Sequence, residues 1–441
     1  MVVRRYQFYD PDVPADIEVE EGLAAPLRAA FAGHASTRVR LGRQVPAMDA
    51  VDELIFLLHT AAEIEHSLLA QYLFAAWSLP DTDPHRRWRE TLVGIAREEM
   101  GHLLGIQNIL LAVAGPLNFE REDYPFNAFY PFPFRLEPMS VPFLARVVLA
   151  EMPDPDLIPP ELGFDLAQVR ADAGEQGEIG RVGALFELLI ELAEAIGDDA
   201  FHNDSLPFQA DPAKWLAEIF DLKLAKVSDS GEAVTLLADI AAQGEGYDEP
   251  QTGLPSHFRR LFTLYREART FLTSNSNGHL ADPVTENPTT SDPRAPGYLA
   301  FPEARAWAVV FNQRYRWILV SVAHHLLLDA NDSARQRLLG WAIRDMRVLS
   351  AIALQLRGLP QQLPPRLDPS GRPIVAGAPL ELPHSMALPS RPIDRWREHL
   401  RTARHHIRQL EQIGAQDEVE RMLDETRDRI QWLQLQIEAS P

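Results

Sequence analysis

Glu99 and His102 stand three residues apart in the run IAREEMGHLLGIQN, residues 95–108. On an α-helix that spacing puts both side chains on one face, one above the other. A carboxylate oxygen and an imidazole nitrogen are then offered to a single point. Leu92, Ile95, Leu103, Ile106, Leu110 and Val113 recur at steps of three and four, and the pair falls inside this apolar stripe. An ionised carboxylate facing a core is costly without company, and a metal ion is the partner expected. A Glu-x-x-His pair also arises by chance on many helices as a solvated pair, so the rest of the chain has to carry the reading. Glu98 instead shares a line with Gly94, Gly101 and Gly105. That line is expected to be a smooth edge for another helix, with Glu98 outside any metal site.

Further donors occur on other elements. Glu65 lies in the apolar stripe Leu54, Leu58, Ala61, Leu68, Tyr72 and Ala75 of a helix expected over 48–79. A core tyrosine or arginine is an alternative partner for it. Tyr72 sits two turns further along the same face and is the candidate catalytic side chain. Glu151 closes a short helix over 141–151 that Pro153 and Pro155 stop. Glu245 and His257 follow later in the chain. Carboxylate-bridged dimetal sites in four-helix bundles draw four carboxylates and two imidazoles from facing helices. Such oxygen and nitrogen donors suit iron or manganese, with zinc also admissible.

The elements that must hold these groups read as helices nearly throughout. Besides 48–79, 85–114 and 141–151, helices are expected over 179–196, 232–242, 256–271, 302–328 and 333–357. A charged hairpin, 395–413 and 416–437, turns at Gly414. Glu187, Glu191 and Glu194 fall on a solvated face, and residues 156–177 look irregular. His324 and His325 read as core or edge histidines, and His405-His406 as solvated on the hairpin. The 35 prolines cluster between apolar runs, which suits helices joined by long rigid loops. The fold class expected is all-α, with an N-terminal extension over 1–47, the main helical domain over 48–360, and a proline-rich segment and hairpin over 361–441.

The 441 residues carry a net charge of −21 and no cysteine. The acidic balance speaks against nucleic acid or an anionic membrane as partner. Without cysteine there is no disulfide, thiolate–metal site, iron–sulfur cluster or cysteine nucleophile. No signal-peptide pattern opens the sequence and no run reaches the about 18 apolar residues of a membrane span, so a cytoplasmic protein is expected. A homodimer is left open.

Several motifs follow one another in order. They are Ala62-Glu63-Ile64-Glu65-His66 with Gln71-Tyr72-Leu73, Glu98-Glu99-Met100-Gly101-His102-Leu103 with Asn108-Ile109-Leu110, Glu151-x-Pro153, Gln243-Gly244-Glu245-Gly246, and Ser256-His257-Phe258 before Arg260. Phe311-Asn312, Tyr315 and Met346 extend the match. In these motifs, over about residues 48–360, the chain resembles the ferritin-like iminophenyl-pyruvate dimer synthase family, which is related to enzymes of violacein and bisindole assembly. The resemblance implies a ferritin-like four-helix bundle with additional C-terminal helices. It also implies metal ligation by Glu65, Glu99, His102, Glu151, Glu245 and His257, iron as one or two ions, and oxidation or coupling of a small organic substrate such as an aromatic imino acid. Iron binding and ferroxidation without an organic substrate is the alternative. Glu245 and His257 are twelve apart, so a helix must break between them, with loop 246–255 bordering the site. Near Val182-Gly183-x-Leu185-Phe186, a phenylalanine stands where the family leads one to expect tyrosine.

Overall fold

The mostly apolar run ahead of Trp77 forms a 28-residue helix buried on nearly every side, α1 (Ala50–Trp77). It is the first element in a computed structural model that describes residues 49–121, 131–174, 180–215, 222–246, 254–275, 278–383, 386–414 and 416–439. The helices that follow are α2 (His85–Ala112), α3 (Val141–Glu151), α4 (Leu166–Ala173), α5 (Val182–Ile196), α6 (Pro212–Trp215), α7 (Ser230–Glu245), α8 (His257–Ser274), α9 (Pro302–His325), α10 (Ser333–Arg357), α11 (Pro392–Ile413) and α12 (Asp417–Ala439). Among the described residues there is no strand beyond isolated β-bridges, and the fold is all-α. The expected extension over 1–47 and most of loop 246–255 lie outside the described residues.

Cα positions separate into two units. The first covers the described residues up to Tyr72 and those of 90–134 and 139–280. The second covers 73–89, 135–138 and 281–441.

In the first unit, local signals fix where helices begin and end. Ser140 caps α3 by accepting from Phe143 N, and Asp229 caps α7 by accepting from Glu232 N. At the end of α2, Ala114 takes a left-handed φ of 55°. Ala114 N donates to Leu111 O at 3.2 Å and Gly115 N to Leu110 O at 2.7 Å, the paired bonds of a Schellman cap. Thus the left-handed residue is Ala114. Gly115 is small because a Cβ there would press on Leu110 and Ile55. The 8-residue α4 falls in the stretch expected to be irregular. It buries only Val169 and Ala173 and owes its ends to Asp165 and to the left-handed Gly174, so its stripe is too short to read. Glu187, Glu191 and Glu194 are exposed on α5, as their spacing predicts.

Helix α3 packs against α4 and α8, and α7 against α5 and α8. Between Glu245 and His257 the helix does break, and Ser256 closes the gap. Its hydroxyl donates to Gly246 O at 2.5 Å, while the same oxygen accepts from Arg259 N to cap α8.

The second unit is built on α9–α12, where α9 packs on α10 and α11, and α11 on α12. Trp317, Leu338, Trp396, Ala403 and Leu433 form one buried cluster. Asp345 accepts from both Arg314 and Arg429. Burial works against its charge, but the two guanidiniums hold it below the usual carboxylate range. His324 and His325 are buried, as core histidines. His406 corrects the sequence reading, because it is fully buried while His405 is exposed. Arg314 Nε donates to His406 Nε2 at 3.1 Å, and burial, with the charge of Arg314 beside it, holds the imidazole well below its ordinary pKa. The hairpin is amphipathic, and periodicity over charged residues does not reveal that His406 falls on its inward face.

Candidate metal centre

Helices α1, α2, α3 and α8 each bring a titratable side chain to one buried place. Glu65 comes from α1, Glu99 and His102 from α2, Glu151 from the last residue of α3, and His257 from the first residue of α8. All five are at most 3% exposed. The two imidazoles stack with centroids 5.2 Å apart.

Glu99 lies between them. Its Oε2 is 2.9 Å from His102 Nδ1 and its Oε1 is 3.0 Å from His257 Nδ1. Glu65 Oε2 is 3.2 Å from His102 Nδ1, and Glu151 Oε2 is 3.8 Å from His257 Nδ1. Each imidazole therefore turns Nδ1 toward two carboxylates, and the two sets share Glu99.

The outward nitrogens are also engaged. His257 Nε2 is 2.9 Å from Glu98 Oε2, and His102 Nε2 is 3.0 Å from Gln243 Oε1. A ring nitrogen that donates outward leaves its other nitrogen with a lone pair facing inward. Tyr72 donates to Glu151 Oε1 at 2.6 Å, which leaves Oε2 for the cluster.

The electrostatics are those of a place short of positive charge. Burial pushes the Glu65 carboxyl far above its usual range, and the charge of Glu99 adds to this. Glu151 is raised for the same two reasons. Burial also opposes ionisation of Glu99, yet the His257 and His102 contacts hold it well below the ordinary value. Burial disfavours the His102 cation, but Glu65 and Glu99 push its pKa up to about 10. His257 is raised as well, against burial, first by the charge of Glu99. Protons on the two imidazoles thus supply the cations that three buried carboxylates demand.

Two atoms test whether a metal suits this set. Glu99 Oε1 and His257 Nδ1 are buried and close, yet neither makes an aligned hydrogen bond. Buried polar atoms are seldom left so. Two polar atoms aimed at common space, with further carboxylates beside them, fit a divalent ion bound by oxygen and nitrogen.

Of the six ligands implied by the sequence resemblance, Glu245 is the one turned away. It ends α7, and its Oε1 accepts from Gly183 N at the start of α5. Burial raises its pKa well above the ordinary range, and the charge of Glu151 adds to this. The neighbouring Gly244 does run beside the cluster, since a Cβ there would sit 3.4 Å from Glu151 Oε2.

Glu98 corrects the sequence reading in part. It is 3% exposed, and Arg260 of α8 donates to both of its oxygens, with Nη1 to Oε1 at 2.9 Å. The edge does admit other elements: a Cβ on Gly105 would meet Ile240 of α7 at 3.2 Å, and one on Gly101 would meet Leu222 at 3.0 Å. The groups that meet Glu98 itself come from α8, namely His257 and Arg260. Sequence reasoning assigned no role to Gln243 or Arg260. Arg260 was legible in principle, three residues after His257 and so on the same helical face. Nothing in the local pattern singles out Gln243.

Residues 58–266 match the model of the Ferritin-like family. The chain is similar to dichlorochromopyrrolate synthase from Lentzea aerocolonigenes, 26% identical over an alignment 322 residues long, which covers 62% of this chain and 31% of that protein. It is also similar to 2-imino-3-(indol-3-yl)propanoate dimerase from Chromobacterium violaceum, 27% identical over 404 residues, 80% of this chain and 36% of that one. Both names agree with the family resemblance read from the sequence. The chain spans about a third of the length of these curated relatives. A solved ferritin-like protein from Caulobacter vibrioides aligns at 19% identity and a TM-score of 0.45, over 70% of this chain and 98% of its own. No helix among the described residues is long and apolar enough to cross a membrane.

Proposed function

We propose that the first unit holds a carboxylate-bridged pair of metal ions and that the protein is an oxidoreductase acting on a small organic substrate. One ion is held by Glu65, Glu99 and His102, the other by Glu99, Glu151 and His257. The observation that carries this reading is the placement of Glu99, with one oxygen against each His Nδ1. Iron is the metal proposed, with manganese or zinc as the alternatives for such donors. Iron bound there would supply one-electron steps to a substrate.

The chain's own groups do the rest. Glu98 and Gln243 hold the imidazoles with Nδ1 inward, and Tyr72 keeps one oxygen of Glu151 occupied so that the other faces the cluster. Glu245 joins the donors only by releasing Gly183 N and rotating its carboxylate. Loading the site with divalent ions expels the imidazole protons, so binding releases acid. Coupling or oxidation of an aromatic imino acid is the substrate reading, supported by the names of the two curated relatives.

Elemental analysis of the purified protein, followed by oxygen-uptake assays with aromatic imino acids, tests this. About two ions per chain and uptake that depends on the organic substrate are expected. Iron without any substrate-dependent uptake would leave ferroxidation as the function. Protein that takes up no divalent ion would remove the metal centre itself.

A further inference from the structure

The two imidazoles of the cluster are backed by different chemistry. His257 Nε2 meets a carboxylate, Glu98, at 2.9 Å. Arg260 grips both oxygens of that carboxylate. His102 Nε2 meets a neutral amide oxygen, Gln243 Oε1, at 3.0 Å. From this asymmetry we infer that the two metal positions are unequal, and that the one at His257 fills first and binds more tightly. The inference rests on the metal-centre reading above and adds an order of loading to it.

The physical reason lies in what each backing group does to the ring. A hydrogen bond to a carboxylate is charge-assisted and about twice as strong as one to a neutral acceptor. It fixes the tautomer with the proton on Nε2 and makes the inward Nδ1 a better electron donor. Arg260 gives Glu98 a counter-charge inside the fold, so the carboxylate stays available as an acceptor. Gln243 orients His102 but lends no charge. Its amide can also present either its oxygen or its nitrogen to the ring.

Two binding steps in the wild-type protein would not suffice as proof. A second cation bound to the same Glu99 is repelled by the first, which separates the steps even for identical positions. Variants that keep a single position avoid this. His102→Ala leaves the His257 position and His257→Ala leaves the His102 position. Apo protein, checked for wild-type helical content, is titrated with Co(II) alone, and its absorption bands report occupancy and coordination. Tighter Co(II) binding is expected in His102→Ala, by about tenfold or more. Adding Glu98→Gln to His102→Ala should weaken binding by about 10–100-fold, the usual effect of losing such a partner, and should leave binding in His257→Ala unchanged.

Gln243→Glu is the converse and does not depend on damage. It gives His102 a carboxylate partner and should tighten Co(II) binding in His257→Ala. Equal affinities in the two single-position proteins, or Glu98→Gln acting equally on both, would overturn the inference while leaving the metal centre in place. Gln243→Glu with no gain in His257→Ala would also overturn it. Failure of the wild-type protein to bind Co(II) at all would instead overturn the metal-centre reading on which it rests.

Discussion

Tyr72 and Glu151 meet through a 2.6 Å hydrogen bond from the phenol to Oε1, joining α1 to the end of α3. Burial and the charge of Glu151 raise the phenol far above its ordinary pKa, so it remains a donor at any working pH. Tyr72→Phe removes the donor and leaves a buried carboxylate oxygen unpaired. The apo protein should lose about 1–3 kcal/mol of stability, measured by denaturant unfolding, while bound metal in the loaded protein stays at the wild-type level. Loss of metal in this variant would mean that the phenol governs ligation directly.

Glu99 serves both proposed positions, whereas Glu65 serves one. Glu99→Gln should therefore leave little metal at either position, and Glu65→Gln should remove about one ion per chain. His102→Ala should lose about one ion per chain while circular dichroism keeps the wild-type helical signal, because large apolar faces hold the helices. Elemental analysis at matched folding decides these outcomes. Equal metal loss in Glu99→Gln and Glu65→Gln would argue against a bridge.

Gly183 lies so close to Glu245 that a Cβ there would overlap the carboxylate. Gly183→Ala should push that flexible side chain off the α5 terminus, and alanine is well accepted at a helix start. If Glu245 is the further ligand, this variant will bind divalent metal more tightly than wild type, and Glu245→Gln will cancel the gain. An unchanged isotherm in Gly183→Ala would confine Glu245 to its present partner.

In the second unit, buried histidines set an acid limit on stability. Trp317 Nε1 donates to His399 Nδ1 at 3.0 Å, and His399 Nε2 stands 3.1 Å from His324 Nδ1, a chain that requires neutral rings. Burial lowers His399 to about 3, His324 to about 2 and His325 to about 4. In the unfolded chain these groups titrate near the ordinary value of about 6.5. The folded values lie below the unfolded one, so the stabilisation is complete above pH about 6.5 and drains away as pH falls below it. Each group contributes at most about 1.4 kcal/mol per pH unit to that slope. Thermal or urea unfolding of the apo protein between pH 7.5 and 4.5 should show falling stability, with a shallower slope in His324→Leu. An identical slope in that variant would remove His324 from the account.

Ala114 holds a left-handed conformation at φ 55°, which costs an ordinary residue about 1 kcal/mol relative to glycine. Ala114→Gly should raise stability by about 0.5–1 kcal/mol, because the relief exceeds the added freedom of the unfolded chain. A destabilised variant would show that the cap is not under strain.

The helical framework was legible because apolar stripes at three- and four-residue steps are what a helical core requires. The same stripes put Glu65, Glu99 and His102 inward, and the structure buries all three. A line of glycines signals close approach without saying what approaches, and it carries no sign that His257 and Arg260 of α8 partner Glu98. The turn of Glu245 toward Gly183 was not legible, since rotation of a side chain at a helix end leaves no trace in periodicity. His406 was missed because its neighbours are charged, and only tertiary packing selects the buried face of such a helix.

The hydrogen bond from Ser256 to Gly246 O separates the spacing of the donors from the length of chain between them. Both ends of the 247–253 interval are clamped by backbone and hydroxyl, so His257 is set by the clamp and by α8. That interval is then a cassette. Sequences of different length and composition can be exchanged there at a small entropic cost, about 0.6 kcal/mol for each doubling of length. The chain between these two ends can thus change while the imidazole stays in place.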